Sequence, residues 1–312
     1  MSDDRAGQVT WSRLTTFTEV AERGSVRAAA RALHVTEPAV SAAVAAVERQ
    51  LGTTLLRREG RHVVLTDAGR TFADYSRTLI ALADEAASAV RDVDRPRLRI
   101  GAVSAAAEYV LPTALVAFRA HRPDVDLTVS VLPRDDLFAA LGHHELDVGV
   151  AGRPPRGSGL VARASRRNRL VVVGAPDAPS APLESTWLLR SPGSGMRTVT
   201  LDLLRGLELS PELLEMGSHG AVVAAARAGL GVTLAHEDAV ARDIAGGRLV
   251  VHHVTGTPIE RPWIVSTTKR ATPPALDLVR LLATEDAMGQ AAFHLSSRPR
   301  GEAGVLRADS PR

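Results

Sequence analysis

The sequence holds no cysteine in 312 residues, a single lysine (Lys269) and only 3% aromatic residues. The first absence removes disulfides, thiol nucleophiles and cysteine-ligated zinc or iron–sulfur centres together. The second makes nearly every base an arginine, which keeps its charge at any usable pH and lifts the sequence pI to about 10.1 on a formal charge of only +3. With so few rings, the cores must be built from Ala, Val and Leu. No apolar run approaches the roughly 18 residues that span a bilayer. Residues 1–8 are polar and charged, without the apolar stretch of a secretion signal. A cytoplasmic chain with no membrane partner is expected.

Several chemistries are missing as well. Gly229-Leu230-Gly231 opens like a dinucleotide loop, but Leu234 stands where the third glycine belongs. Lys269 follows Thr268, so there is no phosphate-binding GxxxxGK, and no GxSxG elbow surrounds Ser194. His143-His144 and His252-His253 are adjacent pairs whose side chains diverge, a poor arrangement for a metal. Asp135-Asp136 opens a helix and reads as complementing its dipole rather than as a catalytic pair. The expectation is no enzyme, no catalytic residue, no metal and no cofactor.

What is present is a chain long enough for two or three domains. Trp11, Leu14, Phe17, Val20 and Ala21 recur at helical spacing, and Gly24 stops that helix. Ser25 then caps a short helix over 26–33. Thr36 caps a third over 37–50, with Pro38 where a missing N–H costs nothing. Val40, Val44, Val47 and Leu51 mark its buried stripe, and Gly52 ends it. Two short helices about a tight turn form a helix-turn-helix pattern. Residues 55–65 predict a β-hairpin turning at Glu59-Gly60, with bases near its tip: a wing beside the recognition helix.

The run from Gly24 to Ser41 (GSVRAAARALHVTEPAVS), followed by Glu48, Leu51-Gly52, Leu55-Leu56-Arg57 and Leu65-Thr66-Asp67-Ala68-Gly69, resembles the DNA-binding region of LysR-type transcriptional regulators nearly without gaps over some sixty residues. On that resemblance the candidate DNA-binding residues are Ser25, Arg27, Arg31, Thr36, Glu37, Pro38, Ser41, Arg57, Arg58 and Arg61. The family usually has Gln where Glu37 stands and often a polar residue where Ala42 stands. Two readings of Glu37 stand side by side: it accepts from a cytosine amino group in the major groove, or it favours the helix N-terminus through the dipole. Because this helix is not basic, phosphate attraction falls to Arg27, Arg31, Arg57, Arg58, Arg61 and helix N-termini.

Thr66 caps a longer helix, on which Phe72, Tyr75, Leu79, Leu82, Ala86 and Val90 form one apolar stripe ended by Arg95-Pro96. Another copy of the same helix would cover that stripe, and the resemblance implies the same pairing. From Arg97 strands alternate with helices, the first of these helices expected over 108–121, the signal of a parallel α/β sheet. The resemblance implies an effector domain of two α/β lobes, type 2 periplasmic-binding-protein-like. In such sheets ligands sit at strand carboxyl ends facing helix N-termini. Candidates for effector binding are therefore Ser104 and Ala105, then Ser194, Gly195, Met196 and Arg197, then Gly217 and Ser218, with plain helix capping as the bland reading of Ser194 and Ser218. The last two loops resemble those of the subgroup related to the Calvin-cycle and cysteine-biosynthesis activators.

The expected organisation is an all-α-dominated winged helix-turn-helix at 1–65 and a dimerising linker helix at 66–95. An α/β effector domain follows at 96–288, crossing between lobes near 160–170 and 260–268, with a disordered tail at 289–312. The expected function is a LysR-type regulator that binds double-stranded promoter DNA as a homodimer or homotetramer, answers to a small anionic metabolite and acts with RNA polymerase. Two alternatives are a solute-binding protein of the transport class and a nucleoid-type DNA binder without a ligand.

Overall fold

The computed structural model describes residues 9–60, 62–91, 95–177 and 184–296. The N-terminal helices are α1 (Trp11–Arg23), α2 (Val26–Ala32) and α3 (Glu37–Leu51). Gly24 closes α1 at φ +60, the Ser25 hydroxyl accepts from the Ala28 N–H, and the Thr36 hydroxyl accepts from the Ala39 N–H. Phe17, Val20, Ala29, Ala30, Val40, Val44 and Val47 are buried in one core. Leu51, expected on that stripe, is 43% exposed, because α3 ends at Gly52 and its last residue projects past the core. The polar residue three before it does the anchoring. Glu48 Oε1 accepts from the N–H groups of Leu55 and Leu56 at 2.8 and 3.1 Å, which fixes the entry to the wing.

The wing is β1 (Leu56–Glu59) paired antiparallel with β2 (His62–Leu65). Glu59 pairs with His62, so it belongs to the ladder and the turn starts one residue later than expected, at Gly60, whose φ of +63 suits glycine. The long helix α4 spans Asp67–Arg91. Its first turns join the winged core: Ala73 is fully buried, and the Phe17 and Phe72 rings meet edge-on at 5.0 Å. Along another face, Tyr75, Leu79, Leu82 and Val90 are 69, 50, 37 and 77% exposed. Gly69 sits where α4 presses on the chain before the wing; a Cβ there would lie 2.0 Å from the Leu55 carbonyl oxygen.

Lobe I holds β3 (Arg97–Ala102), α5 (Ser104–Tyr109), α6 (Leu111–His121), β4 (Asp126–Val131), α7 (Arg134–Gly142), β5 (Val148–Ala151) and β6 (Val161–Arg166). The chain crosses to lobe II, which holds β7 (Arg169–Gly174), β8 (Trp187–Arg190), α8 (Gly195–Gly206), β9 (Leu213–Met216), α9 (His219–Arg227), β10 (Thr233–His236), α10 (Glu237–Ala245), β11 (Val250–His252) and β12 (Ile259–Glu260). It then returns to lobe I through β13 (Trp263–Thr267), α11 (Pro273–Leu282), α12 (Glu285–Met288) and β14 (His294–Leu295). The lobe I sheet runs β14-β6-β13-β5-β3-β4. In lobe II β7 lies between β10 and β11, and β8 joins β10 through the Trp187–Val232 bridge. Gly231 allows that junction, since a Cβ there would meet the Thr186 carbonyl oxygen at 2.2 Å.

Three expectations are corrected. The sheets are mixed rather than parallel: β13 runs antiparallel to β5 and β6, and β7 antiparallel to β10 and β11, because a chain that leaves a lobe and returns enters it from the opposite end. The helix expected over 108–121 begins at Ser104, at the end of β3, and breaks before Pro112, which lacks the N–H to continue α5. Residues 289–296 are no disordered tail. Phe293 is 2% exposed in the lobe I core, and β14 pairs with β6 beside it. Residues 297–312 lie outside the described residues.

Gly69→Ala is expected to destabilise the chain by about 1–3 kcal/mol through backbone overpacking, while Gly206→Ala, with open space at its Cβ position, stays within about 0.5 kcal/mol of the parent. Urea unfolding of both variants checks this; equal midpoints would remove the close approach as the reason for glycine at 69.

Candidate DNA-binding surface and interlobe site

The groove-facing candidates gather at one end of the winged domain. Thr36, Glu37, Pro38 and Ser41 are exposed around the N-terminus of α3, with Arg27 and Arg31 exposed on α2 and Arg57 and Arg58 exposed on β1. Arg61 lies outside the described residues. Ser25 and Thr36 each spend an oxygen lone pair on a helix cap, which leaves their O–H free to donate. Glu37 gains a partner that sequence reasoning missed: Arg27 Nε lies 3.8 Å from its carboxylate, both side chains being more than half exposed. Arg57 lies 3.6 Å from Glu59 in the same exposed state. Such pairs contribute little and exchange readily for phosphate.

The second site is a cleft of about 480 Å³ between the lobes. Ser104 and Ala105 open α5 on its lobe I wall, and Ser194, Gly195 and Met196 open α8 on its lobe II wall. These five expected residues come together. Ser194 makes no capping hydrogen bond, so its hydroxyl is available along with the free N–H groups of the helix end. The other three do not line the cleft. Arg197 is drawn away to Glu215 at 2.8 Å and to the Arg190 carbonyl, while Ser218 spends its oxygen capping α9 and Gly217 precedes it in the same turn.

The cleft's positive charge comes from residues that lay unmarked in the sequence, Arg134, Arg190 and Arg261, with Asp135 and Asp136 on the same wall as Arg134. Arg134 pairs with Asp135 at 2.8 Å and donates to the Arg153 carbonyl. Arg190 and Arg261 differ, because among the described residues neither guanidinium has a carboxylate or carbonyl partner, and Arg190 Nε is fully buried without one. Burial lowers the pKa of both below the usual arginine value. The Arg261 guanidinium lies between the lobes, near Gly152 on one side and Gly195 at the α8 N-terminus on the other. No sequence signal marks such residues; they become visible only once the two crossing segments are folded together.

Two histidines complete the wall. His219, the first residue of α9, is 3% exposed; His236, at the end of β10, is 6% exposed and stacks on Trp263 at 4.4 Å. Asn168 Nδ2 points at both the Arg261 carbonyl, 2.9 Å away, and His236 Nδ1, 2.8 Å away. Since the carbonyl can only accept, the atom between them is the amide nitrogen, and His236 Nδ1 must be unprotonated. Burial, and then the neighbouring cations, lower the His219 pKa to about 4 and the His236 pKa to about 3. Both rings are therefore neutral at pH 7. The arrangement can hold an anion: two uncompensated guanidiniums, a free hydroxyl and two helix N-termini face one space. Among the described residues no cluster of side chains could hold a metal, and no helix is long and apolar enough to cross a membrane.

The comparisons with known proteins follow the same division. The profile described as the LysR substrate binding domain matches residues 91–287, and that of the bacterial regulatory helix-turn-helix protein, lysR family, matches residues 11–70. The chain is 34% identical over 280 residues to the HTH-type transcriptional regulator CfxR of Cupriavidus necator, covering 85% of this chain and 88% of that one. It is 32% identical over 283 residues to the RuBisCO operon transcriptional regulator of Allochromatium vinosum, covering 86 and 93%. The fold is similar to full-length CbnR complexed with its target DNA, with a TM-score of 0.57 at 22% identity, covering 87% of this chain and 97% of that one.

The neutral histidines make an acid limb of stability. As pH falls below the ordinary histidine value of 6.5, the unfolded chain takes up protons that folded His219 and His236 refuse until about 4 and 3. Stability is then full above pH 6.5 and is lost toward pH 4, on the order of 1 kcal/mol per pH unit for each ring. Thermal unfolding between pH 7.5 and 5 is expected to show this fall, and to show less of it in His236→Asn, whose side-chain oxygen can replace Nδ1 as acceptor. Equal slopes in the two proteins would mean that the ring is not held neutral.

Proposed function

Because the chain belongs to the LysR family and is a DNA-binding transcription regulator, we propose that it works in the cytoplasm as a homodimer or homotetramer on promoter DNA, and that a small anionic metabolite bound between the lobes sets its activity. The observation that carries the anionic half is the pair Arg190 and Arg261, which face the cleft and, among the described residues, stand in no ion pair. A half-buried cation left without an ion pair is costly to the protein alone and favours whatever anion enters. The oligomeric half is supported by α4, whose Tyr75, Leu79, Leu82 and Val90 leave one apolar face in water. A second α4 is the partner that presents the same spacing. The alternative of a transported-solute binder is not favoured, since residues 11–70 match a regulatory helix-turn-helix.

On DNA, the α3 N-terminus enters the major groove while Arg57 and Arg58 of the wing meet phosphate beside it. Contact with RNA polymerase belongs to the same reading and is supported by the family alone. The domain limits are proposed as expected from sequence, with the effector domain extended through β14.

The test begins with duplexes selected from random DNA by the full chain. With about three phosphate contacts per subunit, log K for the selected duplex falls with log salt at a slope of roughly −5 in a dimer, and Arg57→Gln with Arg58→Gln makes it shallower by about 3–4. Leu79→Glu with Leu82→Glu yields a monomer by light scattering and weakens the same duplex at least about tenfold. Screening small carboxylates and phosphate esters by thermal shift is expected to find a stabilising anion that Arg190→Gln and Arg261→Gln no longer feel. A double-Glu variant that stays dimeric would discard this pairing face, and a wild-type protein that responds to none of the anions would leave a ligand-free, nucleoid-type binder.

A further inference from the structure

Resting on the reading of the cleft as an anion site, we propose that His219 is its specificity-determining residue and takes up a proton when the anion binds, so that ligand affinity rises as pH falls. The geometry is particular to this ring. His219 lines the cleft at the first position of α9, it is 3% exposed, and among the described residues no group donates to or accepts from either of its nitrogens. His236, by contrast, has its Nδ1 committed to Asn168 and its face to Trp263, so it is not free to answer.

The groups around His219 are cationic or neutral where they approach it. Arg190 of β8 faces it across the cleft wall, with Arg261 of the crossing segment on the same space. His236 of β10 lies 6.4 Å away, centroid to centroid, and Tyr109 of α5 lies 5.7 Å away, edge-on. The acids nearest to Tyr109 are Glu108 on α5 and Asp243 on α10, and Asp243 is held by Arg248 and Arg227. Among the described residues no carboxylate pairs with the imidazole, and the charge of Glu108 acts on the neighbouring Arg190 instead. Without an anion, protonation would set a second cation beside Arg190 in a poorly solvated space, and the lowered pKa agrees with this. An anion seated on the free N–H groups of Arg190 reverses the sign of that interaction. The same proton then completes an ion pair with two donors instead of opposing one.

This sets the class of ligand. An anion of two negative charges, or a carboxylate or phosphoryl group able to touch both Arg190 and His219, gains from the proton. A neutral polar ligand does not.

The test uses the full chain with inorganic sulfate, which does not titrate in the range, and inorganic phosphate as a second probe. Calorimetry from pH 7.5 to 5.5, in buffers of different ionisation heat, is expected to show close to one proton taken up per sulfate at the acid end. Sulfate affinity should rise by up to about tenfold per pH unit, and His219→Gln should take up no proton. The imidazole resonance of His219 in the wild-type protein is expected to titrate at higher pH with sulfate than without, which keeps the idea testable if the variant folds poorly. Sulfate binding that is independent of pH, or proton uptake that survives His219→Gln, would overturn the role of His219. No heat with either anion at any pH would instead overturn the reading of the cleft as an anion site.

Discussion

A guanidinium cannot shed its proton to escape a poor environment, so a half-buried arginine without a counter-charge is a standing demand for an anion. Arg190 and Arg261 make that demand here: among the described residues neither stands in an ion pair, and Glu108 acts on Arg190 through its charge alone, without a hydrogen bond. The carboxylates near the crossing segments are engaged elsewhere: Glu237 with Arg169, Glu260 with Arg167, Glu215 with Arg197, and Asp238 with Arg166 and the Trp263 indole. Asp135, which lines the cleft, is paired with Arg134. Asp136 lines the cleft too, so Arg134, Arg190 and Arg261 stand there against Asp135 and Asp136, an excess of one positive charge. His219 and His236 stay neutral first because they are buried, and the neighbouring charges add to that.

Much of this was legible in the sequence, and the division between what was and was not is physical. Local signals carried the winged domain. Caps at Ser25 and Thr36, glycines at 24 and 52, and the stripe Val40, Val44, Val47 each act within a few residues of themselves. The misplacements there are small, a turn shifted from Glu59 to Gly60 and a terminal Leu51 left in water. The turns at Ser104 and Ser194 were also readable, because a strand followed by a small polar residue and a helix is a local pattern. The arginines were not. In a chain where nearly all bases are Arg, nothing nearby distinguishes Arg261 from Arg167, yet one is half-buried between lobes and the other pairs with Glu260 in water. That difference is set by contacts across about ninety residues, as is the parallel or antiparallel sense of β13. Arg197 shows the converse error: it stands in the right loop, but Glu215 on the neighbouring strand claims it.

Arg261 also sits where a ligand would have most leverage. Its backbone N–H donates to the Asn168 carbonyl, and the Asn168 side chain donates back to the Arg261 carbonyl, so the two segments that cross between lobes are tied together at this residue. An anion drawing on the Arg261 side chain would therefore act on the two crossing segments rather than on one lobe alone. Hinge positions of this kind absorb a change of lobe angle in few dihedrals.

A second line of contacts leaves the cleft through α7. Arg134 at its N-terminal end lines the cleft, and at its C-terminal end His144 Nδ1 lies 3.2 Å from Glu85 and His143 Nε2 lies 3.7 Å from Asp74, both on α4. His144 takes a left-handed backbone, φ +61, at a helix end where glycine would be easier, and the conformation turns the chain back onto the helix through the Glu145 N–H to Ala140 carbonyl bond. A side chain is thus kept at a position that would fold more readily without one, and that side chain is what touches the linker helix. Helix α4 is consequently held on one face by the winged core and by α7, and it leaves its apolar face outward. A helix fixed in this way has its free face aimed by the lobe. Rotation of lobe I would therefore be delivered to α4, and through Phe72 and Ala73 to the winged core on which α3 packs.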